Sequence, residues 1–277
     1  MNSTDVRIGI IRIEGTNCEQ EIFDTFRALD TNPEMVHLKQ LIGNCSPSMG
    51  RDLDDYHMIV FPGGSSAGDY VRAGAIFAAR IRNKLGPEIQ NFIASGKPVL
   101  GIGNGFQVLL ELGVLPSPDD AMIDKPQAAL HTNESARFEC RPTYLKHENH
   151  GKCLFTSQLP RGEMVLFPCA HAEGNLKFHI EEEEEMLRLL EENDQIVFRY
   201  VDPDGNYAGY PWNPNGSIDN IAGICNSEGN VLGLMPHPER VIFRYQHPDW
   251  TRDQDFNAPG DGRVIFTSAL EHIVKHY

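Results

Sequence analysis

Between a run that reads as a buried strand, Pro98 to Ile102, and one that reads as a helix, Asn104 to Leu112, stands the segment Gly101-Ile102-Gly103-Asn104-Gly105-Phe106-Gln107. α/β enzymes that attack a carbonyl carbon carry the attacking group on such a strand-to-helix turn, because the turn lifts one side chain clear of the sheet. The central residue is forced into a strained backbone conformation, and small residues at 101 and 105 relieve the crowding around it. The turn also aims N–H groups outward at the start of the helix, so the N–H of Asn104 is placed to hold a developing oxyanion. What is missing is the reagent. Position 103 is glycine, with neither thiol nor hydroxyl to form a covalent intermediate. Taken by itself, a Gly-rich turn of this kind more often binds phosphate or is purely structural. The chain carries no GxxxxGK[ST] motif, however, and the turn has no lysine for a phosphate.

The surrounding pattern supplies the frame for such a turn. Val6 to Ile13 is a β-branched run followed by Gly15-Thr16-Asn17 and a helical stretch to about Leu29, with Asn17 placed as its N-cap. His57 to Phe61 reads as a second buried strand ending in Pro62-Gly63-Gly64. The helix after it, Ala73 to Ala94, is expected to break near Gly86-Pro87. Pro98 to Ile102 is the third strand, and Gly113 closes the helix that follows it. Strands alternating with helices imply a largely parallel sheet covered on both faces, an α/β three-layer sandwich. From Arg137 onward, short strands with turn punctuation (Ile196 to Tyr200, Ile221 to Cys225, Val231 to Met235) predict an antiparallel extension, and Gly262 to His276 a last amphipathic helix. One domain over 1–277 is expected, with insertions near 117–130 and 202–213.

Composition narrows the function class. Lys and Arg number 24 against 39 for Asp and Glu, a net charge of -15, which argues against nucleic acid or a membrane surface as partner, since both are anionic. The run Glu181 to Glu185 reads as a solvated helix start. Six cysteines (Cys18, Cys45, Cys140, Cys153, Cys169, Cys225) show neither CxxC pairs nor metal-ligand spacing with histidine, so no metal site is expected and they read as reduced, mostly packed thiols. The opening MNSTDVRIGIIRIEG has no basic start or cleavage site and no apolar run is long enough to span a bilayer, so a cytoplasmic protein is expected.

An ordered set of segments carries a resemblance through nearly the whole chain: RIEGTNCEQE (12–21), FPGGSSAGDYVRAGAI (61–76), GKPVLGIGNGFQVLLELGVLP (96–116) and NESARFECR (133–141), then CAHAEGN (169–175), NPNGSIDNIAGICN (213–226) and GLMPHPER (233–240). In these the sequence resembles the glutaminase subunit of phosphoribosylformylglycinamidine synthase, a class I glutamine amidotransferase of purine biosynthesis with a flavodoxin-like α/β fold. The resemblance places the family's nucleophilic cysteine at Gly103 and its histidine and glutamate at His237 and Glu239. In that chemistry the histidine accepts the thiol proton and later protonates the departing ammonia, while the carboxylate orients the imidazole.

The resemblance further implies that Gly64 supplies an oxyanion-hole N–H opposite Asn104, that Gln107 holds the substrate glutamine, and that Asn133, Ser135 and Arg137 line its pocket or the partner surface. His171 is either a residue near the glutamine pocket or ammonia exit, or a satisfied structural histidine. After the double glycine this chain has Ser65-Ser66, where the family more often has an aromatic residue. No cofactor is implied for this chain. ATP and Mg are expected on a synthetase partner that binds formylglycinamide ribonucleotide, with a small accessory subunit completing the assembly. With glycine at 103 the chain is expected to be a nearly inactive glutaminase or, alternatively, a non-catalytic scaffold or regulatory subunit of the same complex. An amidotransferase for another acceptor is the third reading.

Overall fold

The computed structural model describes residues 1–117, 122–123, 125–252 and 255–277. The β-branched runs become strands β1 (Arg7–Arg12), β2 (Asn32–His37), β3 (Met58–Phe61) and β4 (Val99–Ile102), alternating with helices α1 (Glu19–Ala28), α2 (Leu38–Leu41), α3 (Ala75–Ala94) and α4 (Asn104–Glu111). The second half adds β5 (Ala128–His131), β6 (Glu139–His147), β7 (Met164–His171), β8 (Asn175–Phe178) and α5 (Glu183–Glu192). It closes with β9 (Ile196–Val201), β10 (Ile221–Cys225), β11 (Val231–Leu234) and α6 (Arg263–His276).

Among the described residues, nine strands form one sheet in the order β2-β1-β3-β4-β11-β10-β9-β6-β7. The first five are parallel, in the strand order of a flavodoxin-like fold with β11 in fifth place. From β10 to β7 every pairing is antiparallel. A separate pair, β5 with β8, lies partly inside the first expected insertion, of which residues 118–121 and 124 lie outside the described residues.

Period-2 alternation sends successive side chains of each buried strand to opposite faces. Ile59 and Phe61 join an apolar layer with Phe77, Ile81 and Leu85 of α3, Phe106 and Leu109 of α4, and Leu190 of α5. Met58 and Val60 join a second layer with Ile22 and Phe26 of α1 and Ile265, Phe266 and Ala269 of α6. The sandwich is thus three layers deep, and no helix among the described residues is long and apolar enough to cross a membrane.

Two local expectations are corrected, and one strand carries no local signal. Helix α3 does not break at Gly86-Pro87 but runs through it. Pro87 forfeits one helical hydrogen bond at ~3 kcal/mol, whereas each of the large side chains buried along that face (Phe77, Ile81, Leu85, Ile89, Phe92) contributes ~1.5–3 kcal/mol. Burial therefore wins. The N-cap of α1 is Cys18 rather than Asn17. The Asn17 N–H donates instead to the Gly63 carbonyl at 3.3 Å, because the loop after β1 is drawn against the turn after β3. Strand β2 was not anticipated; Pro33 and Glu34 obscure its pattern, and its pairing with β1 supplies what its composition does not.

Candidate active site

The elbow forms where parallel strands end. β4 and β11 are neighbours in register, Gly101 opposite Gly233 and Ile102 opposite Leu234, and the Gly103 N–H donates to the Leu234 carbonyl at 2.9 Å. The turns that follow the two strands therefore open at the same edge of the sheet, the usual site of ligand chemistry in such folds. Gly103 has φ 55° and ψ −113°, a conformation that strains any residue with a side chain. Gly105 is required by close approach: a Cβ there would run into the Phe61 carbonyl oxygen. At position 103 a Cβ would stand 3.1 Å from Cε1 and 3.2 Å from Nε2 of His237.

His237 and Glu239 follow β11 in a short 3-10 turn, Pro238–Arg240. The His237 N–H donates to the Pro168 carbonyl of β7 at 2.8 Å, which anchors the turn across the antiparallel half of the sheet. Nδ1 of His237 lies 2.6 Å from Oε1 of Glu239, and both residues are only 2 % exposed. The carboxylate fixes the tautomer: Nδ1 carries the proton and donates, leaving Nε2 free to accept one on the side facing residue 103.

Cys18 stands against this pair although the sequence marked it only as a packed thiol. Its sulfur, a ring nitrogen of His237 and a carboxylate oxygen of Glu239 lie within 4.8 Å of one another. Burial, and then the charge of Glu239, push the Cys18 thiol up to about 12. A guanidinium N–H of Arg240 donates to the sulfur at 3.2 Å. A thiol so reluctant to ionise is a poor nucleophile and does not stand in for the one absent at 103.

The predicted oxyanion donors flank the elbow. Gly64 is in the turn after β3 and Asn104 is the first residue of α4; among the described residues neither N–H is used in a turn, loop or cap. The Asn104 side chain accepts from the Ser66 N–H at 3.2 Å and donates to Asp69 at 3.1 Å and to Gln107 at 2.8 Å, tying the loop after β3 to the helix. Gln107 in turn donates to the Glu173 carbonyl at 2.7 Å, and the Glu173 carboxylate accepts from the Ala73 N–H at 3.1 Å. Three loops are laced together beside residue 103, with the Gln107 amide inside the lacing.

The other predicted residues divide into two groups. Asn133 and His171 are buried together: Nδ1 of His171 is 3.1 Å from the Asn133 side-chain oxygen and Nε2 is 3.4 Å from the Asn215 amide, which also donates to the Tyr200 hydroxyl at 3.2 Å. Burial first, and then His237, lower the His171 pKa to about 4, so the ring is neutral with both nitrogens engaged. Asn133 also donates to the Arg137 and His171 carbonyls and accepts from the Gly174 N–H. Ser135 donates to Glu139 at 2.7 Å, while Arg137 is exposed beside Phe138, itself 65 % exposed. Sequence reasoning missed Cys18, Glu173, Asn215 and Tyr200 as neighbours of the site. The first three lie inside the matched segments, but nothing in their spacing shows which loops meet.

Residues 5–273 match the CobB/CobQ-like glutamine amidotransferase domain. The chain is 51% identical over 278 residues to a protein of Archaeoglobus fulgidus named phosphoribosylformylglycinamidine synthase subunit PurQ, covering 99% of this chain and 100% of that one. It is 46% identical to the protein of that name from Picrophilus torridus, over 94% of this chain and 96% of the other. Among solved structures it is similar to a chain in the structure of PurLQS from Thermotoga maritima, at 31% identity and TM-score 0.70, covering 97% and 99% of the two chains. The fold expected from the strand and helix pattern is the fold of these relatives. This chain belongs to the CobB/CobQ-like glutamine amidotransferase family.

Proposed function

We propose that this chain is the glutaminase subunit of phosphoribosylformylglycinamidine synthase, built to release ammonia from glutamine, and that Gly103 leaves it nearly inactive. The observation that carries this reading is the meeting of Gly103 with the His237–Glu239 pair, a Cβ at 103 falling 3.2 Å from Nε2. A thiol at that point gives its proton to Nε2, and its sulfur attacks the glutamine amide carbon. The N–H groups of Asn104 and Gly64 hold the oxyanion, and the imidazolium protonates the departing ammonia. Water then hydrolyses the thioester. Without the thiol, His237 is left to activate water alone, and turnover is expected to fall by about 10³ to 10⁶. Gln107 and Asn133 act through the loops they tie together, and His171 holds its neighbours as a neutral ring. Ser135 and Arg137 belong to the rim or the partner surface.

Ammonia made here passes to a synthetase subunit that binds ATP, Mg and formylglycinamide ribonucleotide, with the small accessory subunit completing a cytoplasmic assembly. The names of the relatives and the PurLQS structure support that partnership. A second reading, a non-catalytic subunit that only scaffolds or regulates the synthetase, is favoured by Gly103 itself. Gly103→Cys separates the two. Recovery of glutamine-dependent amidation with the synthetase present marks a glutaminase that lacks one group, whereas continued silence despite binding of the partner marks a subunit that has drifted from catalysis.

A further inference from the structure

A cleft of about 280 Å³, with neither Gly103 nor His237 in its lining, is formed by the β5–β8 pair, the last residue of α4 and the residues that lead into β5. Strand register explains its chemistry. Ala129 is opposite Lys177 and His131 opposite Asn175, so alternation puts Ala129, His131 and Lys177 on one face while Leu130, Leu176 and Phe178 go to the core. Ala129 leaves room in the middle of that face, and His179, just beyond β8, joins its rim. Lys125 and Arg72 complete the basic lining. Glu111 is the one acidic residue there among the described residues, and both its carboxylate oxygens already accept from Arg72. Lys125 and Lys177 have no carboxylate partner among the described residues, in a chain of net charge -15. One more group is unspent: Gln127 lines the same cleft, and its Oε1 is buried with no hydrogen-bond partner among the described residues.

We propose that this cleft binds a small phosphorylated molecule with a free hydroxyl, of the sugar-phosphate class. The phosphate meets Lys125 and Lys177, whose ammonium groups serve a dianion as point charges. A carboxylate ligand is suited best by a free guanidinium fork, and that of Arg72 is taken by Glu111. Oε1 of Gln127 accepts a hydroxyl proton, which ends its isolation and which a phosphate dianion has no proton to do. The volume sits at the low end for small-molecule sites, so it takes a pentose phosphate rather than a folded partner. No residue of the Gly103, His237 and Glu239 group takes part, so the site stands or falls separately from the glutaminase reading.

The test is calorimetric titration of the full chain with ribose 5-phosphate, ribose, inorganic phosphate and citrate. Ribose 5-phosphate is expected to bind saturably, and about 3- to 10-fold more tightly than inorganic phosphate, the worth of one neutral hydrogen bond. Ribose alone is expected not to bind. Lys125→Gln with Lys177→Gln removes two charge-assisted hydrogen bonds and is expected to weaken ribose 5-phosphate about 100-fold or more. Should the double variant be unstable, Lys125→Gln at its exposed position repeats the test, with a loss of about tenfold. Gln127→Leu is expected to erase the margin over inorganic phosphate while phosphate itself still binds, and Lys84→Gln on α3 to change nothing. The proposal is overturned by binding that survives the lysine substitutions, by a margin that survives Gln127→Leu, or by citrate binding as tightly as ribose 5-phosphate. Absence of saturation by about 10 mM ribose 5-phosphate overturns it equally.

Discussion

Gly103→Cys is expected to raise glutaminase activity while lowering stability, and the structure sets the size of the second effect. The backbone at 103 has φ 55° and ψ −113°, where a residue with a Cβ costs on the order of 1–3 kcal/mol. The new Cβ also meets the His237 ring at 3.1 Å, which the imidazole relieves only by shifting a few tenths of an ångström against Glu239. Against this, replacing glycine reduces the entropy of the unfolded chain, a gain of about 0.4–1 kcal/mol. The balance is about 1.5 kcal/mol of destabilisation. At ~2.1 cal/mol/K per residue, a chain of 277 residues has an unfolding entropy of roughly 0.6 kcal/mol/K, so Tm is expected to fall by about 2–3 °C. Scanning calorimetry of the two forms in one buffer, paired with coupled detection of glutamate, reads both quantities. A cysteine form that melts higher refutes the claim of backbone strain at the elbow. One that melts lower yet releases no ammonia refutes the pairing of residue 103 with His237.

Four further outcomes follow from the same geometry. Gly105→Ala drives a Cβ into the Phe61 carbonyl and is expected to cost about 3 kcal/mol or more, read as a lowered urea midpoint or loss of soluble protein. In the Gly103→Cys form, Glu239→Gln removes the charge that holds the His237 tautomer and is expected to lower kcat by about 10²–10⁴ with little change in KM; a change of less than threefold would deny Glu239 that role. His171 is neutral when folded, with its pKa lowered from 6.5 to about 4, so its contribution is fully present above pH 6.5 and is lost as pH falls toward 4. That loss is on the order of 3 kcal/mol, and His171→Gln should flatten the pH dependence of the urea midpoint over this window. Finally, a thiol reagent applied to native protein should modify Cys140 and Cys45 fast and leave the buried Cys18, Cys153, Cys169 and Cys225 slow until denaturation. Fast modification of Cys18 would contradict its burial beside Glu239.

Local signals were strong where one short segment carries the whole physical requirement. The apolar runs at β1, β3 and β4 are buried on both faces of a parallel sheet, so their composition alone announces them. The elbow was equally plain, since a Cβ at 101 or 105 would run into neighbouring backbone, and glycine at 103 takes its positive φ without strain. Legibility failed where a distant contact decides. Strand β2 carries Pro33 and an exposed edge, and is a strand because β1 is there to pair with it. Helix α3 survives Pro87 because its buried face is held by the sheet.

The sequence by itself determined the alternation of elements, the glycine turn and the absence of a thiol at its apex, because each depends on neighbouring residues. Only the tertiary structure decided that the turn after β4 and the turn after β11 open side by side, putting residue 103 against Nε2 of a histidine 134 positions later, by subtraction of 103 from 237. It also decided that Cys18 sits behind that histidine and that the Gln107 amide is spent on lacing loops together. Strand register brings these groups together, and register is set by pairing across the whole sheet, which no local run of residues encodes.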